Sequence, residues 1–263
     1  MKKIISVLLV ALMLVGVVFS AVSCGKKDDT LVCGVTIVKN FNEKDENGNW
    51  TGFESDFARE VGKLIGMKVE FQQIEWEQKY AELSSGAIDC IWNGFTANSS
   101  DNGVPRSELV DFSYSYMLNQ QCVVVKKSAL DAYKSEADLA GKTAVAESGS
   151  AGQSYAEGVV GTGKVVTSPA QINAFLEVKS GAADFAVVDI LLAQGICGNG
   201  DYEDLAIVDA ITLESEVYAI GFKKGSELTA KVNEAIKTLN DNGKLLELAK
   251  KYGLENSLKV TVD

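Results

Sequence analysis

The stretches "LSSGAIDCIWNG" (residues 83–94) and "VKSGAADFAVVD" (178–189) share Ser-Gly-Ala-x-Asp, starting at Ser85 and again at Ser180. In each, a helical run stops at Ser-Gly, where glycine relieves the helix end, and an apolar run begins at or after the aspartate. A helix–turn–strand unit is thus written twice. Five residues beyond Asp89 stands Gly94, and five beyond Asp184 stands Asp189. Both fall at the carboxyl ends of strands, the edge at which open α/β sheets bind ligands. Two lobes built on one plan and facing each other at that edge would form a cleft.

The rest of the chain fits this plan. Hydrophobic periodicity predicts strands at 31–36, 68–73, 87–93, 121–126, 143–146, 164–167, 184–188 and 217–222. It predicts helices at 54–65, 76–83, 151–158, 170–179, 190–196, and at 227–240 and 244–252. Alternation of this kind implies βαβ units and a largely parallel sheet. The expected fold class is α/β, with two Rossmann-like α/β lobes joined by a two-strand hinge. Lobe 1 takes 31–121 and lobe 2 takes 127–216, with hinge crossings at 122–126 and 217–222. Residues 223–263 return to lobe 1 with the C-terminal helices.

The N-terminus "MKKIISVLLVALMLVGVVFSAVSCG" has two lysines, an apolar run, and small residues before Cys24. This is the layout of a secretory signal peptide over 1–23, with Cys24 as the lipidated first residue and 24–30 as a tether. An uncleaved membrane-spanning anchor is the other reading. Either places the remaining chain outside the cytoplasm, beside a lipid bilayer. The net charge of −11 disfavours nucleic acid and anionic lipid as partners. The chain contains no histidine, which excludes Ser-His-Asp and Cys-His catalysis and histidine-ligated zinc. Cys33, Cys90, Cys122 and Cys197 are far apart and show no metal or redox spacing, so buried thiols are expected; Cys33 with Cys90 is the pair to test for a disulfide.

Only two arginines, Arg59 and Arg106, stand among 25 basic residues. Arg106 ends the polar loop "TANSSDNGVPR" (96–106), and a guanidinium holds a carboxylate through two parallel bonds that lysine cannot make. A structural pair with Glu108 or Asp111 is the alternative. Asn93, Gly94 and Thr96 end the strand before it, offering N–H groups and a hydroxyl to a carboxylate, or forming an ordinary turn. In "ESGSAGQSY" (147–155), Ser150 and the Ala151 N–H open a helix, a site for a small anion or a plain cap. Asp189 is placed to pair with an ammonium group or to cap the helix after it. Trp76 and Phe41 would wall an aliphatic part or pack in the core, and Tyr114 and Tyr116 are expected at the hinge. Arginine, N–H donors, a carboxylate and aromatic walls together suit a zwitterion, a free amino acid.

"GVTIVKNFNEKDENGNWTGFESDFAREVGKLIG" (34–66), "AELSSGAIDCIWNGFT" (81–96), "RSELVDFSYSYM" (106–117) and "KSGAADFAVVD" (179–189) resemble the extracellular solute-binding proteins of polar amino-acid ABC transporters. The resemblance covers most of 31–253 and implies the type II periplasmic-binding-protein fold, closing around its ligand. It also implies a monomer with no cofactor that delivers a free amino acid to an ABC transporter permease. By its motifs, Arg106, Gly94 and Thr96 bind the carboxylate with Ser150 and Ala151, Asp189 takes the ammonium, and Trp76 and Phe41 stack. Glu147 falls where some members read the side chain, and an acid there favours a cationic or amide group. The chain departs from the family in a loop about five residues longer between Thr96 and Arg106, and in "TIVKNFN" (36–42) before Phe41. Two other classes remain: an enzyme on the same fold, such as a dehydratase or cell-wall lyase using Glu147 as its acid, or the sensing subunit of a receptor.

Overall fold

The structure, a computed structural model, describes residues 29–262. The expected signal peptide and the lipidated Cys24 lie outside the described residues. The first sheet runs Lys68–Gln73, Thr30–Val35, Cys90–Ile91, Gly221–Phe222, Asp111–Phe112. The second runs Val165–Ser168, Ala144–Glu147, Phe185–Asp189, Ser115–Lys126, Leu205–Ile207. Helices alternate with the strands, and the α/β architecture of two sheets connected by two antiparallel strands is the one expected.

The sheets are mixed rather than largely parallel. Thr30–Val35 pairs in parallel with Cys90–Ile91, and Ala144–Glu147 in parallel with both its neighbours. Ser115–Lys126 is antiparallel to every strand beside it. It arrives from the other sheet rather than through a crossover helix, so nothing forces it parallel. Its first half pairs with Ser215–Tyr218 and Leu258–Thr261, and its second half with Phe185–Asp189 and Leu205–Ile207. This strand starts six residues earlier than the expected 121 because the edge alternation of "SYMLNQ" is completed by those two partners. The strand expected over 87–93 shortens to Cys90–Ile91. Beyond it a side chain continues the ladder: the Asn93 amide oxygen accepts the Thr36 N–H at 2.8 Å. The helix expected at 76–83 is a 3-10 turn, Trp76–Gln78, followed by Lys79–Ser85.

Each sheet is covered on both faces. The helix Phe53–Ile65 buries Phe53, Phe57, Ala58 and Val61, one stripe at helical spacing. Glu54 and Asp56 lie in its first turn, where the helix dipole favours acids, and Gly66 ends it at φ 72°. Helices Glu227–Asp241 and Lys244–Lys251 bury Val232, Ile236, Leu245 and Leu248 in the same core. In the second sheet, Ala144–Glu147 is buried along its whole length, as a strand covered on both faces must be. Cys33 lies opposite Cys90, whose thiol donates a hydrogen bond to the Cys33 sulfur at 3.7 Å, and none of the described cysteines forms a disulfide. Among the described residues, no helix is long and apolar enough to cross a membrane.

Phe57 packs edge-on against Trp92 at 5.2 Å and Tyr116 at 5.3 Å. Phe57→Ala should therefore cost about 3–5 kcal/mol of unfolding free energy. Leu64→Ala, on the exposed side of the same helix, should change it by less than about 0.5 kcal/mol. Urea titrations with a common slope would measure both.

Candidate functional site

The carboxyl ends of the strands in the two sheets enclose a cavity of about 510 Å³, including its mouth. The sequence-derived residues Phe41, Trp76, Asn93, Gly94, Thr96 and Arg106 line it from the first sheet's side. Glu147, Ser150, Ala151 and Asp189 line it from the second. All ten meet in one place, although several have different partners from those expected. Phe41 and Trp76 are also core residues, 4% and 5% exposed, so the cavity-wall and core readings hold together. Trp76 stacks edge-on with Phe95 at 5.4 Å.

The first sheet's edge is organised by an acid the sequence reading missed. Glu54, fully buried, accepts the Gly94 N–H at 2.9 Å, the Asn42 side-chain amide at 2.9 Å, and the Tyr116 hydroxyl. The Gly94 N–H, expected to donate to the ligand carboxylate, is instead taken by Glu54. Tyr116 lies on the connecting strand Ser115–Lys126 and is also buried in the first core. Asn93 is equally occupied, its amide accepting from Thr36 N–H and donating to the Thr36 hydroxyl. Gly94 adopts φ 57°, and a Cβ there would stand 3.1 Å from the Tyr218 ring, so glycine is required for both conformation and room.

The polar loop before Arg106 folds as a hairpin, pairing Ser100–Asp101 with Val104–Pro105 around Asn102 and Gly103, both at positive φ. It delivers Arg106 to the cavity wall, 1% exposed. The structural partner is Asp101, not Glu108 or Asp111: Asp101 Oδ1 accepts from Arg106 Nε at 3.0 Å and Nη2 at 2.8 Å. Nη1 donates to the Thr96 carbonyl at 3.1 Å. The Thr96 hydroxyl donates to Glu216 at 3.2 Å.

On the second sheet's side, Ser150 caps the helix Ala151–Val160, its hydroxyl accepting the Gln153 N–H at 3.0 Å. Ala151 lines the cavity, and its N–H is one of the first-turn donors that a helix leaves without an intrahelical partner. Asp189 makes no side-chain cap to the helix that follows it. Its Oδ1 accepts from Asn119 at 2.8 Å and Gln121 at 2.6 Å, and its Oδ2 from Gln171. Gln121, Gln171, Glu54, Tyr218 and the apolar trio Val38, Leu191 and Leu192 complete the wall. Gln121 and Tyr218 lie on strands, where an amide or a tyrosine looks like an ordinary sheet residue, and Gln171 and Glu54 lie in first helical turns, where polar residues are common.

The site is strongly acidic. Burial, reinforced by the Asp189 charge, pushes Glu147 up to about 8, against the opposing pull of Lys79. Burial raises Glu54 to about 7 and Glu216 to about 6, the latter again with help from Asp189. Asp189 is itself raised by burial, against the amide bonds that favour its ionised form. Crowded acids with so few cations would be stabilised by a positively charged guest. Among the described residues, no group of histidine, cysteine, aspartate or glutamate could hold a metal ion.

These acids bind protons more tightly folded than unfolded, so their contribution to ligand-free stability is fully present below the ordinary carboxylate range and is lost as pH rises through about 6 to 8. The slope is at most about 1.4 kcal/mol per pH unit for each proton released. Melting curves between pH 5 and 8 should show that fall, and Glu147→Gln should flatten its upper part; an unchanged profile would contradict the assignment.

The family description "Bacterial extracellular solute-binding proteins, family 3" matches residues 31–255. The arginine-binding extracellular protein ArtP of Bacillus subtilis (strain 168) is 29% identical over 246 residues, 90% of this chain and 93% of that protein. The solved arginine-, lysine-, histidine-binding protein ArtJ of Geobacillus stearothermophilus superposes with a TM-score of 0.77 at 30% identity, covering 85% of this chain and 94% of its own. The ancestral amino acid-binding protein AncCDT-1, a precursor of cyclohexadienyl dehydratase, gives 0.74 at 30% identity, with 85% and 95% covered. By the family match across nearly all of the described residues, the chain belongs to the bacterial extracellular solute-binding proteins, family 3.

Proposed function

We propose that this protein captures a free α-amino acid with a cationic or amide side chain and delivers it to the permease of an ABC importer. The observation that carries this reading is one cavity holding both halves of a zwitterion site. Arg106 and the Ala151 N–H lie on its walls with Asp189 and the buried Glu147. The ligand carboxylate would take the remaining Arg106 N–H and the Ala151 N–H. Its ammonium would sit against Asp189, and its side chain would bring a positive or donor group to Glu147. ArtP is an arginine-binding protein and ArtJ an arginine-, lysine-, histidine-binding protein, and these ligands are of this chemistry.

The protein acts as a monomeric binder and not as an enzyme in this reading. The raised Glu147 would suit a proton-transferring acid, and kinship to AncCDT-1 keeps that class in view. Yet Glu147 lies beside Asp189, where an ammonium would hold it ionised. The leader 1–23 directs export, and a lipid on Cys24 tethers the chain to the outer face of the membrane.

A thermal-shift screen of residues 25–263 against the common amino acids should single out one or a few cationic or amide members. Removing one partner of a buried charge contact costs about 2–5 kcal/mol, so Arg106→Ala should weaken that ligand by about 100-fold or more in calorimetric titration. An unchanged affinity would remove Arg106 from the site. Separately, Cys24→Ser should abolish labelling by radioactive palmitate and release the protein into the medium.

A further inference from the structure

Asp101, the structural partner of Arg106, serves three side chains from two separate elements, Arg106 on one and Lys79 and Tyr80 on the helix Lys79–Ser85. Its Oδ1 accepts from Nε and Nη2 of Arg106, and its Oδ2 accepts from the Tyr80 hydroxyl at 2.5 Å and stands 3.4 Å from Lys79 Nζ. Lys79 is as buried as Arg106, 2% against 1% exposed, and its ammonium lies over the Trp76 and Tyr80 rings at 5.0 and 4.6 Å. A lysine in such a place is tolerable only beside a fixed anion.

Both cations converge on one atom of the opposite lobe. The Gly149 carbonyl accepts from Lys79 Nζ at 2.9 Å and from Arg106 Nη2 at 3.3 Å. Gly149 belongs to the turn between Ala144–Glu147 and the helix Ala151–Val160. It adopts φ 71°, a conformation that favours glycine, and a Cβ on it would stand 3.2 Å from Lys79 Nζ. The hairpin also makes its own contact, as the Ser154 hydroxyl donates to the Ser100 carbonyl at 3.3 Å.

The donors of Arg106 can be counted. A guanidinium carries five N–H bonds. Two go to Asp101, one to Thr96 and one to Gly149, which leaves a single Nη1 N–H for anything else. The side-on face that would grip a ligand carboxylate with two parallel bonds is already filled by the chain's own carboxylate.

We infer that Asp101 is a positioning and specificity-determining residue: it holds Arg106 and Lys79 as a clasp on the Gly149 carbonyl across the cleft, and it cancels one of their two charges, turning the site against ligands with a second carboxylate. The specificity half rests on the amino-acid reading above; the clasp half does not. The hairpin insertion thus closes the lobes and biases the choice of ligand through one side chain.

Asp101→Asn keeps the shape and removes the charge, and Asp101→Glu restores it. Small-angle scattering of the ligand-free protein should show a larger radius of gyration for Asp101→Asn than for wild type, with Asp101→Glu closer to wild type. Titration with arginine and with glutamate should show the arginine-to-glutamate affinity ratio falling at least about tenfold in Asp101→Asn and recovering in Asp101→Glu; a general loss of structure would lower both affinities without moving the ratio. Wild-type scattering from Asp101→Asn overturns the clasp, and an unmoved ratio overturns the specificity role. If none of the common amino acids binds wild type, the amino-acid reading fails and scattering still decides the clasp. Should Asp101→Asn not fold, Lys79→Met must give the larger radius, and a wild-type radius for it overturns the clasp.

Discussion

A carboxylate taken out of water must be met by donors or take a proton, and this constraint organises the centre of the molecule. Glu54, Glu147, Asp189 and Glu216 are all withdrawn from solvent around one cleft, and each is raised by that burial. An unmet charge of this kind costs several kcal/mol. The surrounding polar residues answer that cost. Asn119, Gln121 and Gln171 aim amides at Asp189, and Tyr116, Asn42 and Gly94 N–H converge on Glu54. These donors come from four segments: the connecting strand Ser115–Lys126, the helix Gln171–Ser180, the loop at Asn42 and the turn at Gly94.

The same constraint explains how the lobes are coupled. The donors to Asp189 come from the connecting strand and from the helix Gln171–Ser180, so the acid is fixed within the second sheet's side. Glu54 is fixed within the first. Among the described residues, the polar contacts across the cleft include the pair of cations on the Gly149 carbonyl, the Ser154–Ser100 contact and a long bond from Lys39 to the Gly195 carbonyl at 3.5 Å, while Val38 and Leu191 each pack on the opposite core. Few contacts of this kind make a closed state easy to leave, and a guest that neutralises the acids on both sides adds the rest. Ligand binding then shifts a pre-existing equilibrium by its differential affinity for the closed form.

Much of this was legible in the sequence, for definite reasons. The repeated Ser-Gly-Ala-x-Asp located Gly94 and Asp189 at equivalent strand ends, and both line the cavity. Arg106 stood out through the scarcity of arginine, and it too arrived there. The directions of hydrogen bonds were not legible. Glu54 reads as an acid favoured by the dipole in a first helical turn, and nothing local says that it consumes the Gly94 N–H. Asp101 reads as one more polar loop residue until the hairpin folds back on Arg106. Gln121 and Tyr218 are one-sided strand positions whose partners lie in other segments. Periodicity places residues on faces, whereas pairing depends on which faces meet.

The central claim is that the cleft holds an amino acid as a zwitterion, carboxylate toward Arg106 and Ala151 and ammonium toward Asp189. A crystal structure of residues 25–263 with arginine tests it most directly. The account predicts the carboxylate within hydrogen-bond distance of the Ala151 N–H and Arg106 Nη1, the ammonium on Asp189, and the guanidinium reaching toward Glu147. A reversed ligand, with its ammonium at Arg106 or its carboxylate at Asp189, or an arginine bound outside the cleft, would contradict it.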